Sequence, residues 1–345
     1  MDLAGLRLAA DALVAGKLVA FPTETVYGLG ANALDEEAVL SIYKVKGRPG
    51  DNPLIVHLAH TGLIPTVVAD IPPMAVLLIE RFMPGPLTLV MRRGPSIASA
   101  VSAGLDTVAV RCPSHPVAQA FLSMAGVPVA APSANLSGRP SPTYARHVME
   151  DMGGKIPFVI DGGACEVGLE STVLDVTGDV PVLLRPGAVT ADQIREACGV
   201  TPRRSSGTAQ GPVRSPGMKY RHYAPRATVL VGVGRSLAAR ARHTAELVQE
   251  EVAAGHRVGV FAAARAILLI REMQKAAPDG EWPVRLISYG ELDDSVQASV
   301  RLFDAFHPLD ASGVDRIVVQ SLPEKGLGVA YMNRVHKASA HKTGE

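Results

Sequence analysis

The chain has 345 residues, an apolar fraction of 47%, 19% charged residues and a formal net charge of +1. That length accommodates two domains with buried cores. The near-zero charge excludes recruitment of nucleic acid by a global field, so any basic site has to be a local patch.

The first segment, MDLAGLRLAADALVAGKLVAFPTE, is apolar but carries Asp2, Arg7, Asp11 and Lys17 at a spacing that suits an amphipathic helix, not a signal peptide or a membrane span. The helix is expected to end near Gly16, with LVAFP as a short buried strand leading into TETVYGLG. TETVYGLG, residues 23–30, offers Thr23, Glu24, Thr25, Tyr27 and two glycines directly after a strand, a place where a ligand can approach the backbone. Its other reading is a capped turn opening a helix at DEEAVLSIYKVKG. KGRPGDNPL, residues 46–54, sets Lys46 and Arg48 on a loop stiffened by Pro49 and Pro53. Such a loop suits phosphates, with arginine as a bidentate donor and lysine as a point charge, and it equally describes a solvated basic turn.

LIVHL, LTLVM, TVAVR, VPVAAPS and PFVIDGG recur as apolar runs, several of them separated by helix-like segments such as HPVAQAFLSMAG. The pattern is mixed α/β around one central sheet, and in open α/β sheets ligands bind outside strand ends. His57 interrupts LIVHL, where a lone histidine is more often a satisfied core residue. Arg111 closes TVAVRCP, and an arginine closing a buried strand needs an anion or a carboxylate partner. PSANLSG, residues 132–138, clusters Ser133, Asn135, Ser137 and Gly138, which make a turn or a hydrogen-bonding cradle for ribose or phosphate. GLESTVLD brings Glu170, Ser171 and Thr172 ahead of a strand, and LLRPGAV brings Arg185 behind one. Each stretch alone also reads as a turn or cap; five at the strand ends of one domain point to a ligand site.

From about residue 200 the texture changes. TPRRSSGTAQGPVRSPGMKYRHYAPRA, residues 201–227, has six Lys or Arg and no acid, and reads as a linker. The α/β pattern then restarts with ATVLVGVG, HRVGVFAA, VRLISYG and VDRIVVQSL as strands between helix-like segments. The expected domains are therefore 1–200 and 228–345, the second a small Rossmann-like unit with parallel strands. Its first turn, VGVGRS, lacks a full GxGxxG, so no dinucleotide site is expected there. Cys112, Cys165 and Cys198 are odd in number and far apart, which suits reduced thiols in a cytoplasmic protein. No GxxxxGK[ST], HExxH, GxSxG or paired zinc-ligand spacing occurs.

FPTETVYGLG, KGRPGDNPL, LIVHL, MPGPLTLV, VAVRCP, PSANLSGRPSPT and LESTVLD, in that order over about residues 5 to 200, resemble the YrdC-like family of threonylcarbamoyl-AMP synthases. SPGMKYRHYAP and LFDAFHPLDASGVDRIVVQSLPEKGLGVAYMNRVHKA resemble the long form of that family, with an extra C-terminal domain. The resemblance implies an α/β fold with an N-terminal YrdC-like twisted mixed sheet and helices, plus a smaller C-terminal Rossmann-like α/β domain. It implies condensation of L-threonine, bicarbonate and ATP to threonylcarbamoyl-AMP with release of pyrophosphate, for modification of tRNA by a separate threonylcarbamoyl transferase complex.

Carried over residue by residue, the resemblance implies that Thr25, His57, Arg111 and Ser171 surround threonine. Arg111 would take its carboxylate, and His57 would make a polar contact that can also serve a proton. Lys46, Arg48 and Asn52 would face the ATP phosphates, and Lys46, Arg48 and Arg111 together form the expected catalytic set. Thr107, Ser133, Asn135, Ser141 and Arg185 would be nucleotide or phosphate contacts, and Tyr223, in RHYAP, would fold over the pocket as a lid. Mg²⁺ is implied with the nucleotide; no acidic cluster stands beside KGRPGDNPL, so phosphates and waters are expected to hold most of it. One rival is a hydrogenase-maturation carbamoyltransferase, which predicts acylphosphatase and zinc-finger regions ahead of the domain, whereas this sequence opens on it. The other is an RNA-binding module, which needs aromatic stacking among its basic residues; aromatics are 4% of the chain. A weak tRNA contact is compatible with the enzyme, and no membrane association is expected.

Overall fold

The computed structural model describes residues 2–205, 223–276, 282–291 and 293–339. They divide into two compact units: residues 2–137 and 141–205 form the first, residues 138–140 and those from 223 onward the second.

The first unit opens with α1 (Leu3–Val14), capped by the Asp2 carboxylate, which accepts from the Gly5 N–H, and burying Leu6, Ala9, Ala10 and Leu13. It stops ahead of Gly16, as its sequence implies. Next come β1 (Val19–Phe21), β2 (Gly28–Asn32) and α2 (Glu36–Lys46). Asp35 caps α2 by accepting from the N–H groups of Glu37 and Ala38, and Gly47 ends it in the left-handed region at φ 60°, a conformation glycine adopts without a Cβ clash. KGRPGDNPL therefore begins as a helix terminus, with Lys46 its last helical residue.

The unit continues through β3 (Ile55–His57), α3 (Pro73–Phe82), β4 (Leu87–Arg92), β5 (Thr107–Arg111), α4 (Pro116–Ala125), β6 (Val129–Ala131), α5 (Ala145–Met152) and β7 (Phe158–Val159). It closes with β8 (Thr172–Asp175), β9 (Val182–Arg185), α6 (Ala191–Cys198) and β10 (Arg203–Arg204). These strands make one sheet in the order β10-β9-β8-β4-β5-β3-β6-β2-β1-β7. The pairs β9/β10, β4/β8, β3/β5 and β1/β7 are parallel and the others antiparallel, so the sheet is mixed. Because β10 pairs with β9, this sheet runs past residue 200.

Alternation along the strands separates two faces. Val56, Leu89, Val110 and Leu174 join the main core with Val39, Ile42, Leu78 and Ile194 from the helices. Their sequence neighbours Ile55, Val90, Ala109 and Val173 point the other way and form a small apolar cluster of their own. A third cluster packs Leu6, Leu13, Phe121 and Leu122 of α1 and α4 on Phe21 and Val129.

One sequence expectation is corrected here. Gly28 and Gly30 do not form an open turn where a ligand meets the backbone; they lie inside β2. A Cβ on Gly30 would stand 2.8 Å from Val129 Cγ1 and 3.1 Å from Phe21 Cε1, and one on Gly28 would stand 3.2 Å from the same ring. The missing side chains make room for the Phe21 ring, which lies against the sheet and meets His57 edge-on at 5.7 Å.

In the second unit, β11 (Thr228–Gly232), α7 (Leu237–Ala253), β12 (Val258–Ala262), α8 (Ala264–Ala276), β13 (Val284–Ser288), α9 (Ser295–Ala311), β14 (Arg316–Gln320) and α10 (Gly328–Ser339) alternate. The four strands are all parallel, in the order β11-β14-β12-β13. This is the Rossmann-like arrangement implied by the sequence. Most of SPGMKYRHYAP lies outside the described residues. Tyr223 belongs to the second unit, buried at φ 67°, with its ring 5.6 Å from that of Phe303 and beneath the Arg334 guanidinium. Among the described residues no helix is long and apolar enough to cross a membrane, and all three cysteines are free.

Candidate active site

Parallel pairing of β3 with β5 sets His57 beside Arg111 in register, at the carboxyl ends of adjacent strands and on one face. Arg111 is 3% exposed. Its Nη1 donates to Thr25 Oγ1 at 2.8 Å and its Nε to the Gly85 carbonyl at 3.4 Å. Nη2 lies 2.8 Å from Glu24 Oε1, a buried ion pair. The anion that a buried arginine requires is thus supplied from within, by Glu24. Burial pushes the Glu24 carboxyl up, but the Arg111 charge outweighs it and holds the group below the usual carboxylate value.

The hydroxyls here have a fixed direction. Thr23 Oγ1 donates to the Val26 carbonyl at 2.6 Å, because a carbonyl only accepts. The 2.9 Å contact between Thr23 and Thr25 therefore uses the Thr25 proton, and Thr25 accepts from Arg111. What Thr25 has left for a ligand is a lone pair.

His57 Nδ1 is 3.1 Å from the Ile55 carbonyl. Burial and the neighbouring Arg111 charge pull its pKa down to about 3, so the ring is neutral. Ser171 Oγ is 2.7 Å from Thr88 Oγ1, and Thr88 directly precedes Leu89, which pairs with Val110 beside Arg111. Arg185 donates to the Ser171 carbonyl and hydroxyl, both at 3.1 Å, and the Ser141 hydroxyl donates to Glu170 at 2.5 Å. Thr25, His57, Arg111, Ser171 and Arg185 are thereby gathered at one end of the face.

The cationic loop forms the other end. Lys46 is 3% exposed and its Nζ donates to the carbonyls of Ser133, at 2.5 Å, and Asn135. Two of its three hydrogens are spent on neutral acceptors, and burial together with Arg48 pushes its pKa well below the usual lysine value. Arg48 closes the loop on itself, donating to the carbonyls of Asn52 at 3.1 Å and Pro53 at 3.0 Å. In KGRPGDNPL the side chains of Lys46, Arg48 and Asn52 are buried, while Gly47, Gly50 and Asp51 form its exposed turn. Asn52 Oδ1 is buried without a hydrogen-bond partner.

Thr107 begins β5 and is set apart from Arg111 by about 13 Å of strand. Because Ile55 pairs with Ala109, Thr107 falls level with the cationic loop. Antiparallel pairing of Ile55 with Ala131 brings Ser133 to the same end. The two polar ends share one face, with Ile55, Val90, Ala109 and Val173 as an apolar floor between them. Tyr223 is in the second unit.

The residues that pattern reading did not assign are Thr23, Glu24 and Thr88. Glu24 is visible in TETV as an acid beside a strand, and Thr88 as the polar interruption of LTLVM; neither letter names its partner. The described residues contain no group of three or more His, Cys, Asp or Glu placed to hold a metal ion.

A family model described as Telomere recombination matches residues 11–187, and one described as Threonylcarbamoyl-AMP synthase, C-terminal domain, matches residues 189–340. The chain is 45% identical over 340 residues to a threonylcarbamoyl-AMP synthase of Pyrococcus abyssi, covering 98% of this chain and 94% of that protein. Identity to the Bacillus subtilis threonylcarbamoyl-AMP synthase is 43%, over 96% and 92% of the two chains. The crystal structure of Pyrococcus abyssi Sua5 complexed with L-threonine superposes with a TM-score of 0.89 at 43% identity, covering 98% of this chain and 95% of that one. The ordered motifs, the mixed sheet with its parallel second unit and these full-length matches agree: the chain belongs to the threonylcarbamoyl-AMP synthase family, in the form that carries the additional C-terminal domain.

Proposed function

We propose that this chain is an L-threonylcarbamoyladenylate synthase that condenses L-threonine, bicarbonate and ATP to threonylcarbamoyl-AMP and pyrophosphate. The observation that carries the reading is the two-ended face. A guanidinium fit for a carboxylate stands at one end, a buried ammonium bonded to two backbone carbonyls stands at the other, and an apolar floor lies between. An amino acid and a polyphosphate are the ligands that such ends complement.

The threonine nitrogen, once carboxylated, presents a carbamate oxygen. That oxygen bonds to the α-phosphorus as the bond to the β-phosphate oxygen breaks, and the electron pair leaves with pyrophosphate. No covalent enzyme intermediate is needed, so holding the two substrates in line is the main contribution. In this proposal Arg111 receives the threonine carboxylate, with Thr25, His57 and Ser171 around the rest of the molecule. Lys46, Arg48 and Asn52 face the phosphates, where Lys46 offers its third hydrogen and its charge to the pyrophosphate that leaves. Thr107, Ser133 and Asn135 serve the nucleotide from the cationic end, and Ser141 and Arg185 serve it from beside Glu170 and Ser171, where the two substrates meet.

Among the described residues no three His, Cys, Asp or Glu are placed to hold a metal ion. Magnesium would arrive as the counter-ion of ATP, held mostly by phosphates and waters. The product would go to a separate threonylcarbamoyl transferase complex for tRNA modification, a weak direct tRNA contact is compatible with this, and the three free thiols suit a cytoplasmic location.

Incubation with ATP, threonine and ¹³C-bicarbonate should give a threonylcarbamoylated AMP whose mass increases by one label. An unlabelled adduct, or threonyl-AMP, would contradict the reading.

A further inference from the structure

Arg111 carries five N–H donors, and its surroundings commit few of them. Nε makes a long bond of 3.4 Å to Gly85, Nη1 is bonded to Thr25 at 2.8 Å, and Nη2 meets Glu24 Oε1 at 2.8 Å, so these contacts do not use every N–H of the guanidinium. The Glu24 carboxylate is buried against that cation, and the Arg111 charge holds it ionised, below its usual value.

We propose that Glu24 is the positioning residue for Arg111. Its carboxylate anchors the guanidinium at the strand end through Nη2, neutralises it while the site is empty, and leaves the remaining N–H groups of the fork for an incoming carboxylate. Glu24 does not touch substrate in this arrangement; it acts through Arg111. The backbone supports the assignment, because Thr23, Glu24 and Thr25 are consecutive. The same turn that sends Glu24 to one side of the guanidinium sends Thr25 to Nη1, and the Thr23 hydroxyl locks that turn with its bond to Val26. The inference rests on the reading of Arg111 as the receptor of the threonine carboxylate.

The test is steady-state pyrophosphate release by the full chain in wild type, Glu24→Gln, Glu24→Asp, Arg111→Lys and Glu24→Gln/Arg111→Lys, each first confirmed folded by near-UV circular dichroism. Glu24→Gln should raise the KM for threonine by about tenfold or more while leaving the KM for ATP unchanged, since a displaced positioning group costs on that scale. Glu24→Asp, which keeps the charge on a shorter arm, should lie between the two. In the Arg111→Lys background the second change should add little, because its effect passes through the guanidinium. Equal losses for threonine and ATP, an unchanged threonine KM, or additive losses in the double variant would overturn the proposal. Should Glu24→Gln not fold, Glu24→Asp alone reads the same threonine-to-ATP split. A wild type with no threonine dependence would instead overturn the functional reading beneath it.

Discussion

Lys46 is a cation whose described partners are two backbone carbonyls, and burial holds its pKa well below the usual lysine value. A base whose folded-state pKa is depressed costs stability below its unfolded value, so the empty protein carries this cost through the neutral range. A polyphosphate beside the ammonium opposes that shift with its own negative charge. ATP binding should therefore raise the lysine pKa and be accompanied by net proton uptake, visible as a binding enthalpy that changes with the ionisation heat of the buffer. Lys46→Met should abolish both that uptake and turnover without lowering the melting temperature; a fall of several degrees would mean that the lysine is structural. His57 has the same sign: its folded pKa of about 3 lies below the ordinary histidine value, so stability is retained above about pH 6.5 and lost as the pH falls toward 3. Urea unfolding across that window should lose on the order of a few kcal/mol, and His57→Gln, which cannot charge, should flatten the loss. The same value means that activity should show no inflection near pH 6.5 from this ring. Sequence alone made Arg111 a residue in need of an anion, and that was sound. It could not say that Glu24 answers the need, because pairing between a turn and a strand end is a property of the fold and not of either motif.

At the scale of elements, β1, β2 and the loop after α2 decide the shape of the face. Gly30 lets Phe21 lie across β2, and a methyl there would crowd Val129 Cγ1 at 2.8 Å. Gly30→Ala should destabilise the protein by about 1–3 kcal/mol in denaturant titration, with partial recovery on adding Val129→Ala; no loss would mean that the ring is not confined. The strand runs were legible because apolar alternation is a local signal, and α2 because Asp35 and Gly47 punctuate it. GLG was misread for an equally physical reason. Glycine bears the same letter whether it serves a turn or the close approach of a ring, and only the partner strand distinguishes them. KGRPGDNPL was open between a solvated turn and a phosphate loop, and the burial of its two cations beneath an exposed turn is set by bonds that no letter names, such as those of Arg48 to Asn52 and Pro53.

For the whole molecule, the alternation of strands and helices after residue 227 predicted a parallel second unit, and the four expected runs form its four strands. The restart of strand–helix alternation was readable because it is a local pattern. The separation of the first unit's site into two ends was not, since Thr107 and Arg111 are close in sequence yet belong to different ends of one strand. In the proposed function that separation places two substrates on one face, and chemistry there requires both. The most direct test is pyrophosphate release from ATP by the purified protein with Mg²⁺, with threonine and bicarbonate each present or omitted. Release only when both are present is the predicted result; release that persists without threonine, or none under any combination from folded protein, would contradict it.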